Sequence, residues 1–349
     1  MPPAAAAQPA PRVETVATGL VIPWEIAFLP DGRALVTERP GRIRLLARGG
    51  RLRRGTVAHV KVSAVGEGGL LGLAIDPAFA RNRFVYLYFT TDDGMRLERR
   101  RWTRGRLVFR ASLLDGIRAG TIHDSGRIAF GPDRRLYVST GDAGEPALAQ
   151  DPASLNGKLL ALTPGQYRGP GPAAPEIVAS GLRNAQGFDW EPGTGRLIAT
   201  DHGPSGFDGP EGFDEVDEIV PGGNYGWPLA IGYDTGGGLF SPPLRVWKEA
   251  IAPSGATFVT RRLPVRVPAR DDVAEAVVPR REGGPRPAAA GRDLRPPADG
   301  RRGSWRPAVP AHEQPRPPRL PHQGRRPHPA SAAASLSAEP ESRLNGQCA

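Results

Sequence analysis

Four times between Ile26 and Thr200 the sequence writes an apolar run, a proline-containing turn and a second apolar run. The segments are IAFLPDGRALVTE, LAIDPAFARNRFVYLYF, IAFGPDRRLYVST and FDWEPGTGRLIAT. Their turn prolines, Pro30, Pro77, Pro132 and Pro192, lie 47, 55 and 60 residues apart. Each unit combines β-favouring residues with Gly, Asp or Pro at the turn, which is the signature of an antiparallel hairpin. Hairpins recurring at roughly 40–50 residues predict the blades of a β-propeller, with longer spacings absorbed by loops. Helix-length amphipathic patterns are nearly absent, so the predicted class is all-β with about four recognisable blades. A fifth unit begins at IAPSGATFV (251–259), where the pattern stops.

Composition divides the chain at the same place. The net charge of +10 over 349 residues would suit a nucleic-acid partner, but it is unevenly spread. Residues 261–349 hold 17 arginines against nine acidic residues, 16 of the 39 prolines and a single aromatic, Trp305. Such a segment cannot bury enough apolar surface to offset chain entropy and is predicted to be disordered. The expected organisation is a short disordered start (1–14), a propeller domain (15–260) and a Pro/Arg-rich tail (261–349). The body is then close to neutral, and no nucleic-acid partner is expected. RLERRRWTRGRLVFR (96–110) reads as an exposed strand pair. Cys348 is the sole cysteine, which excludes intrachain disulfides and cysteine metal sites. No run of 18 apolar residues predicts a membrane span, and the first residues carry no visible export signal.

The third unit carries a more specific expectation. Its strands are predicted at about Gly126–Phe130 and Arg135–Thr140, around a turn at Gly131–Arg134. His123 stands eight residues before that turn begins and Asp142 eight after it ends. Equal distances from an antiparallel turn bring both residues to the same open end. A carboxylate there can hold the imidazole in one tautomer and support it as a base. GEGG (66–69), GLRNAQG (181–187) and DHGP (201–204) flank strands of the other units at that end. Packed around one axis, the units would gather a base, a cation, carboxylates and Gly-rich backbone on one face. Taken singly, each has a plainer reading: His123 as a loop histidine, Asp142 as a turn residue, Arg183 as half of a surface ion pair. The acidic, Gly-rich FDEVDEIVPGGNYGWP (213–228) suits calcium's preference for oxygen ligands without EF-hand spacing, and equally suits a solvated loop.

Over roughly residues 15–260 these motifs, in this order, resemble the soluble pyrroloquinoline quinone (PQQ)-dependent glucose and aldose sugar dehydrogenases. The resemblance runs through PWEIAFLPDGRALVTERPGRIRLL, GEGGLLGLAIDPAFARNRFVYLYF, HDSGRIAFGPDRRLYVSTGD, SGLRNAQG, DHGP and GGNYGWP. It implies a six-bladed propeller with PQQ and Ca2+ at one face, oxidising an aldose at its anomeric carbon to the lactone. By position, His123 would be the general base, Asp142 its support, and Arg183 a cation against the quinone oxygens. Asn184 would hold the cofactor, and Glu67 would border it. The Gly203 and Pro204 carbonyls would coordinate the calcium at PQQ, while Asp214, Glu215 and the Tyr225 carbonyl resemble an acidic-loop calcium site. An external electron acceptor, a homodimer and a periplasmic or secreted location are further implications. The alternatives are a non-catalytic propeller binding module and a calcium-dependent propeller hydrolase. The hydrolase would place carboxylates and Asn around a channel metal.

Three departures stand out. Glu67 occupies a position where the family usually has Gln, adding negative charge beside an anionic cofactor. DHGPSGFDGPEGFDE is longer than the usual family loop. The tail replaces two blades bearing cations for the PQQ carboxylates. A one-base shift with permitted codons turns LRPPADGRRG (294–303), PAHEQPRP (310–317) and GRRPHP (324–329) into strand-like sequence in a common frame. The tail is therefore read as an out-of-frame rendering of those blades. A propeller left open would expose strand edges, bind PQQ poorly and be unstable.

Overall fold

The computed structural model describes residues 13–258, and they form four sheets in chain order, antiparallel apart from one short strand. The first contains β1 (Pro23–Phe28), β2 (Ala34–Glu38), β3 (Arg42–Leu46) and β4 (Ala58–His59). The second contains β5 (Leu70–Ile75), β6 (Phe84–Thr91), β7 (Gly94–Thr103) and β8 (Arg106–Ile117). The third is built from β9 (Ile128–Phe130), β10 (Leu136–Thr140), β11 (Lys158–Leu162) and β12 (Glu176–Ser180). The fourth has β13 (Ala185–Trp190), β14 (Leu197–Asp201) and β15 (Asp214–Ile219). The chain then makes one departure from sequential order. β16 (Gly223–Asn224) returns to run parallel to β12 of the third sheet, before β17 (Arg245–Trp247) completes the fourth. Among the described residues, α-helix is confined to α1 (Phe79–Asn82) and α2 (Pro164–Arg168).

The repeated turns have a local cause. In the first unit Leu29 N–H donates to the Arg33 carbonyl and Asp31 accepts from Arg33 N–H, with Gly32 at φ 81°. The third unit repeats the device. Gly131 N–H donates to the Arg135 carbonyl, Asp133 accepts from Arg135 N–H, and Arg134 takes φ 66°. An Asp side chain closing its own turn and a left-handed residue behind it reverse the strand.

β6 is apolar on both faces because its sheet packs on two neighbours. Val85, Leu87 and Phe89 of β6 join Leu35, Ile43 and Leu73 in a core shared with the first sheet. The alternate residues Tyr86 and Tyr88 join Ile128, Leu136, Val138 and Leu160 in a core shared with the third. On β10, Tyr137 points the other way and packs with Leu159, Phe188 and Leu197 against the fourth sheet. Near the axis, Arg127 pairs with Glu25 of β1, lies 4.4 Å from the Trp24 ring centroid and donates to the Gln186 carbonyl. Three blades are thus joined there.

The propeller class and the four predicted hairpins are therefore present. The Arg-rich stretch 96–110 is the β7–β8 hairpin, as expected. The predicted fifth unit differs: residues 251–258 form no strand and lie along the fourth sheet. Ile251 and Ala252 N–H donate to Asp214, and Phe258 N–H donates to Asp189. The expectations for residues 1–12 and for the tail, including its reading frame, lie outside the described residues.

Candidate active site

The strands β9 and β10 pair Phe130 with Leu136 and Ile128 with Val138. Continued past the strand ends, that register brings residue 123 beside 142 and 143, and Ala143 N–H donates to the His123 carbonyl at 3.3 Å. His123 Nδ1 lies 2.6 Å from Asp142 Oδ1, with both side chains buried. Gly144 N–H also donates to Oδ1, and the Trp227 indole N–H donates to Oδ2 at 2.7 Å. The close approach needs Gly141, since a Cβ there would lie 1.8 Å from the His123 carbonyl oxygen. His123, Ser125 and Ala143 all have left-handed φ, between 54° and 61°. Non-glycine residues hold that conformation at a price in strain, which gathers here at one hairpin end. With Nδ1–H directed to Asp142, Nε2 is the free, basic nitrogen of the ring.

Arg183 reaches the same region from the loop before β13, its carbonyl accepting from Asp142 N–H. Asp201 fixes its backbone, one carboxylate oxygen accepting from Arg183 N–H and the other from Asn184 N–H. The guanidinium lies over the Trp227 ring, with Cζ 5.4 Å from the centroid. Its polar edge meets the loop after β14: Nε donates to Asp208 Oδ2 at 2.8 Å, and another nitrogen donates to Ser205 Oγ at 3.0 Å. Burial opposes ionisation of Asp208, but the bonds from Arg183 and Ser205 outweigh it and hold the carboxyl below its ordinary range. Phe207 of the same loop lies nearly parallel to the His123 ring, with centroids 6.3 Å apart.

Glu67 and Asn184 complete the wall. Glu67 Oε2 accepts from His123 N–H at 2.8 Å and from Asn184 Nδ2 at 3.3 Å, while Asn184 Oδ1 accepts from Ser125 N–H. The unusual Glu at 67 thus acts only as an acceptor in these contacts, a role that the oxygen of Gln can also fill. Asp124, not assigned from sequence, accepts from the Thr90 hydroxyl and from Gly120 N–H. Burial pushes its pKa up to about 6.

Beside Arg183 is a cavity of ≈ 20 Å³, room for about one water-sized occupant. Its lining includes Asp201, Gly203, Pro204, Glu215 and Tyr225. Burial, then the charges of Asp217 and Asp201, pushes Glu215 up to about 10. Burial pushes Asp201 up to about 6 and raises Asp217 strongly. Both carboxylate oxygens of Asp217 are buried without a hydrogen-bond partner. Asp214, grouped with Glu215 in the sequence reading, has a different place. Its oxygens accept from Gly203, Ile251 and Ala252 N–H, and it does not line the cavity.

Of the predicted site residues, His123, Asp142, Arg183, Asn184 and Glu67 are linked through short contacts, and Gly203, Pro204, Glu215 and Tyr225 line the adjacent cavity. Trp227, Asp208 and Phe207 were not singled out. Trp227 stands in the quoted GGNYGWP, yet its neighbours are brought to it only by the return of β16 to the third sheet.

Residues 20–265 match the Glucose / Sorbosone dehydrogenase family model. A glucose dehydrogenase-type oxidoreductase from Thermus thermophilus superposes with a TM-score of 0.65 at 47% identity, covering 70% of this chain and 75% of that one. The PQQ-bound form of aldose sugar dehydrogenase from Streptomyces coelicolor gives 0.61 at 38% identity, covering 70% and 76%. Aldose sugar dehydrogenase YliI of Escherichia coli is 32% identical over 279 residues, 71% of this chain and 73% of YliI.

Proposed function

Because this chain belongs to the glucose/sorbosone dehydrogenase family, a family of sugar oxidoreductases, we propose that it oxidises an aldose at the anomeric carbon to the lactone, using PQQ and calcium. When bound, the quinone supplies the two-electron acceptor for the hydride. His123 Nε2 takes the proton of the anomeric hydroxyl as the carbonyl forms. Asp142 keeps the Nδ1–H tautomer and stabilises the positive charge that grows on the ring. Arg183 offers a buried cation to negative charge developing on an oxygen. Asn184 and Glu67 hold the His123 loop to the Arg183 loop.

The residues present fit both groups at this face. For calcium, the one-occupant cavity has the Gly203 and Pro204 backbone, Glu215 and Tyr225 in its lining, with the unpartnered carboxylate of Asp217 nearby. Carboxylates crowded until they prefer protons are suited to a cation instead. In this assignment Asp214 holds the loop backbone rather than the metal. For the quinone, Arg183 already takes a carboxylate and a hydroxyl oxygen from Asp208 and Ser205, so that edge of the guanidinium is chemically suited to an oxygen-rich group. An external electron acceptor and an exported, periplasmic site of action follow from the family resemblance. Among the described residues, no helix is long and apolar enough to cross a membrane.

The observation that carries this reading is the buried 2.6 Å His123–Asp142 pair, joined to Arg183 through the Trp227 side chain. A calcium-dependent hydrolase would need carboxylates and Asn around a channel metal, and a pure binding module would need no supported base. The test is reconstitution with PQQ, Ca2+ and an aldose, followed by dye reduction. Turnover by the wild type and its loss in His123→Ala support the reading. Equal dye reduction by both would end it.

A further inference from the structure

Asp142 Oδ2 is buried at the centre of the site, and among the described residues its hydrogen-bond donor is the Trp227 indole. We propose that Trp227 is a positioning residue for the two arms of the site, its N–H fixing the carboxylate that holds His123 and its ring face supporting Arg183. This rests on the reading of His123 as the base and adds a residue to it.

Trp227 is anchored from both sides. Its backbone N–H donates to the Gly181 carbonyl, just before Arg183 in sequence, and its own carbonyl accepts from Gln150, which follows the hairpin carrying Asp142. Gln150 and Asn224 also exchange two amide hydrogen bonds, of 3.0 and 2.8 Å. Asn224 is in β16, the strand that crosses back to the third sheet, so the crossing and the indole form one rigid unit. The residue is 5% exposed, which keeps water from replacing its indole N–H.

The chemistry favours tryptophan for two reasons. Indole N–H is a donor without acceptor capacity, so it suits an ionised carboxylate, which only accepts, and could not take the O–H of a protonated one. It also fixes the rotation of the carboxylate, which leaves Oδ1 facing His123 Nδ1. The π face, 5.4 Å from Arg183 Cζ, attracts the cation without using any of its N–H groups, and those stay available for oxygens. One side chain therefore registers base and cation to each other.

Trp227→Phe separates these functions, since it keeps an aromatic face and deletes the N–H. In the cofactor-free protein, the Nδ1–H proton resonance of His123 is expected to move to lower field. Oδ2 would lose its donor and Oδ1 would become the stronger acceptor. In the enzyme loaded with PQQ and Ca2+, kcat is expected to fall about tenfold or more, with KM for the aldose changing less than about threefold. An unmoved resonance together with unchanged kcat would overturn the proposal. A moved resonance with no aldose turnover in either protein would support the positioning role and sink the sugar-oxidation reading instead. Should the variant not fold, the indole N–H of Trp227 can be followed in the wild type. Slow hydrogen exchange supports the buried bond, and exchange as fast as an exposed indole overturns it.

Discussion

The guanidinium of Arg183 is neutralised from within the protein by Asp208, with Nε 2.8 Å from Oδ2 and side-chain exposures of 3% and 8%. Asp208 belongs to the stretch that is longer than the usual family loop. Its neighbour Phe207 lies across His123, so the loop covers both arms of the site. An anionic cofactor that uses Arg183 must displace this carboxylate. Asp208→Asn is expected to tighten PQQ binding about tenfold, measured by fluorescence titration, because a charge-assisted competitor is removed. Equal or weaker binding would mean that Asp208 holds Arg183 ready for the cofactor.

Gly141 sets the His123–Asp142 distance. Adding a methyl group there forces backbone apart, since the clash is with the His123 carbonyl rather than with a flexible side chain. Gly141→Ala is expected to lose about 2 kcal/mol of stability and most of the activity together. A urea melt that matches the wild type would contradict that packing.

Asp124 predicts a pH dependence. Its folded pKa of about 6 lies above the ordinary 3.8, because burial favours the neutral acid. The stability tied to that proton is full below pH 3.8 and is lost as pH rises through about 6. The total is about 3 kcal/mol for a shift of this size. Asp124→Asn removes the titration. The variant should match the wild type near the acid end of that window and be more stable by up to about 3 kcal/mol well above it. Denaturant melts at the two pH values check this, and a difference that does not change with pH would remove Asp124 as the cause.

The carboxylates at the small cavity predict cation-linked stability. Ca2+ at a hundredfold excess over its Kd should raise stability by about 2.7 kcal/mol, and chelation should reverse the gain. Glu215→Gln should blunt the response, while Asp214→Asn should leave calcium affinity little changed and weaken the loop instead. Calorimetric titration of Ca2+ into each variant distinguishes the two roles.

Much of this site was legible because it is local. The Asp31 and Asp133 turns are written in PDGR and PDRR, and counting outward from the second turn brings His123 to Asp142. The GEGG, GLRN and DHGP segments were expected at the same end because each adjoins a strand of a similar unit. Asp214 and Glu215 are adjacent on a strand and so face opposite ways: Glu215 lines the cavity while Asp214 takes backbone N–H groups. The predicted fifth unit starts where the described residues end, and residues 251–258 form no strand. Residues 251–258 mix Ile, Thr and Phe with Pro, Gly, Ser and Ala, and their backbone N–H groups donate to Asp214 and Asp189 of the fourth sheet.

By itself the sequence determined the hairpin repeat, the all-β class and the meeting of His123 with Asp142. Each follows from turn chemistry and two-residue alternation acting over short stretches of chain. Tertiary structure alone decided that Trp227 would donate to a carboxylate 85 positions earlier, and that Asp208 would close on Arg183. Those contacts depend on how separate blades pack and on where connecting loops land. Such distances are fixed by burial of the shared cores, and no pattern along the chain encodes them.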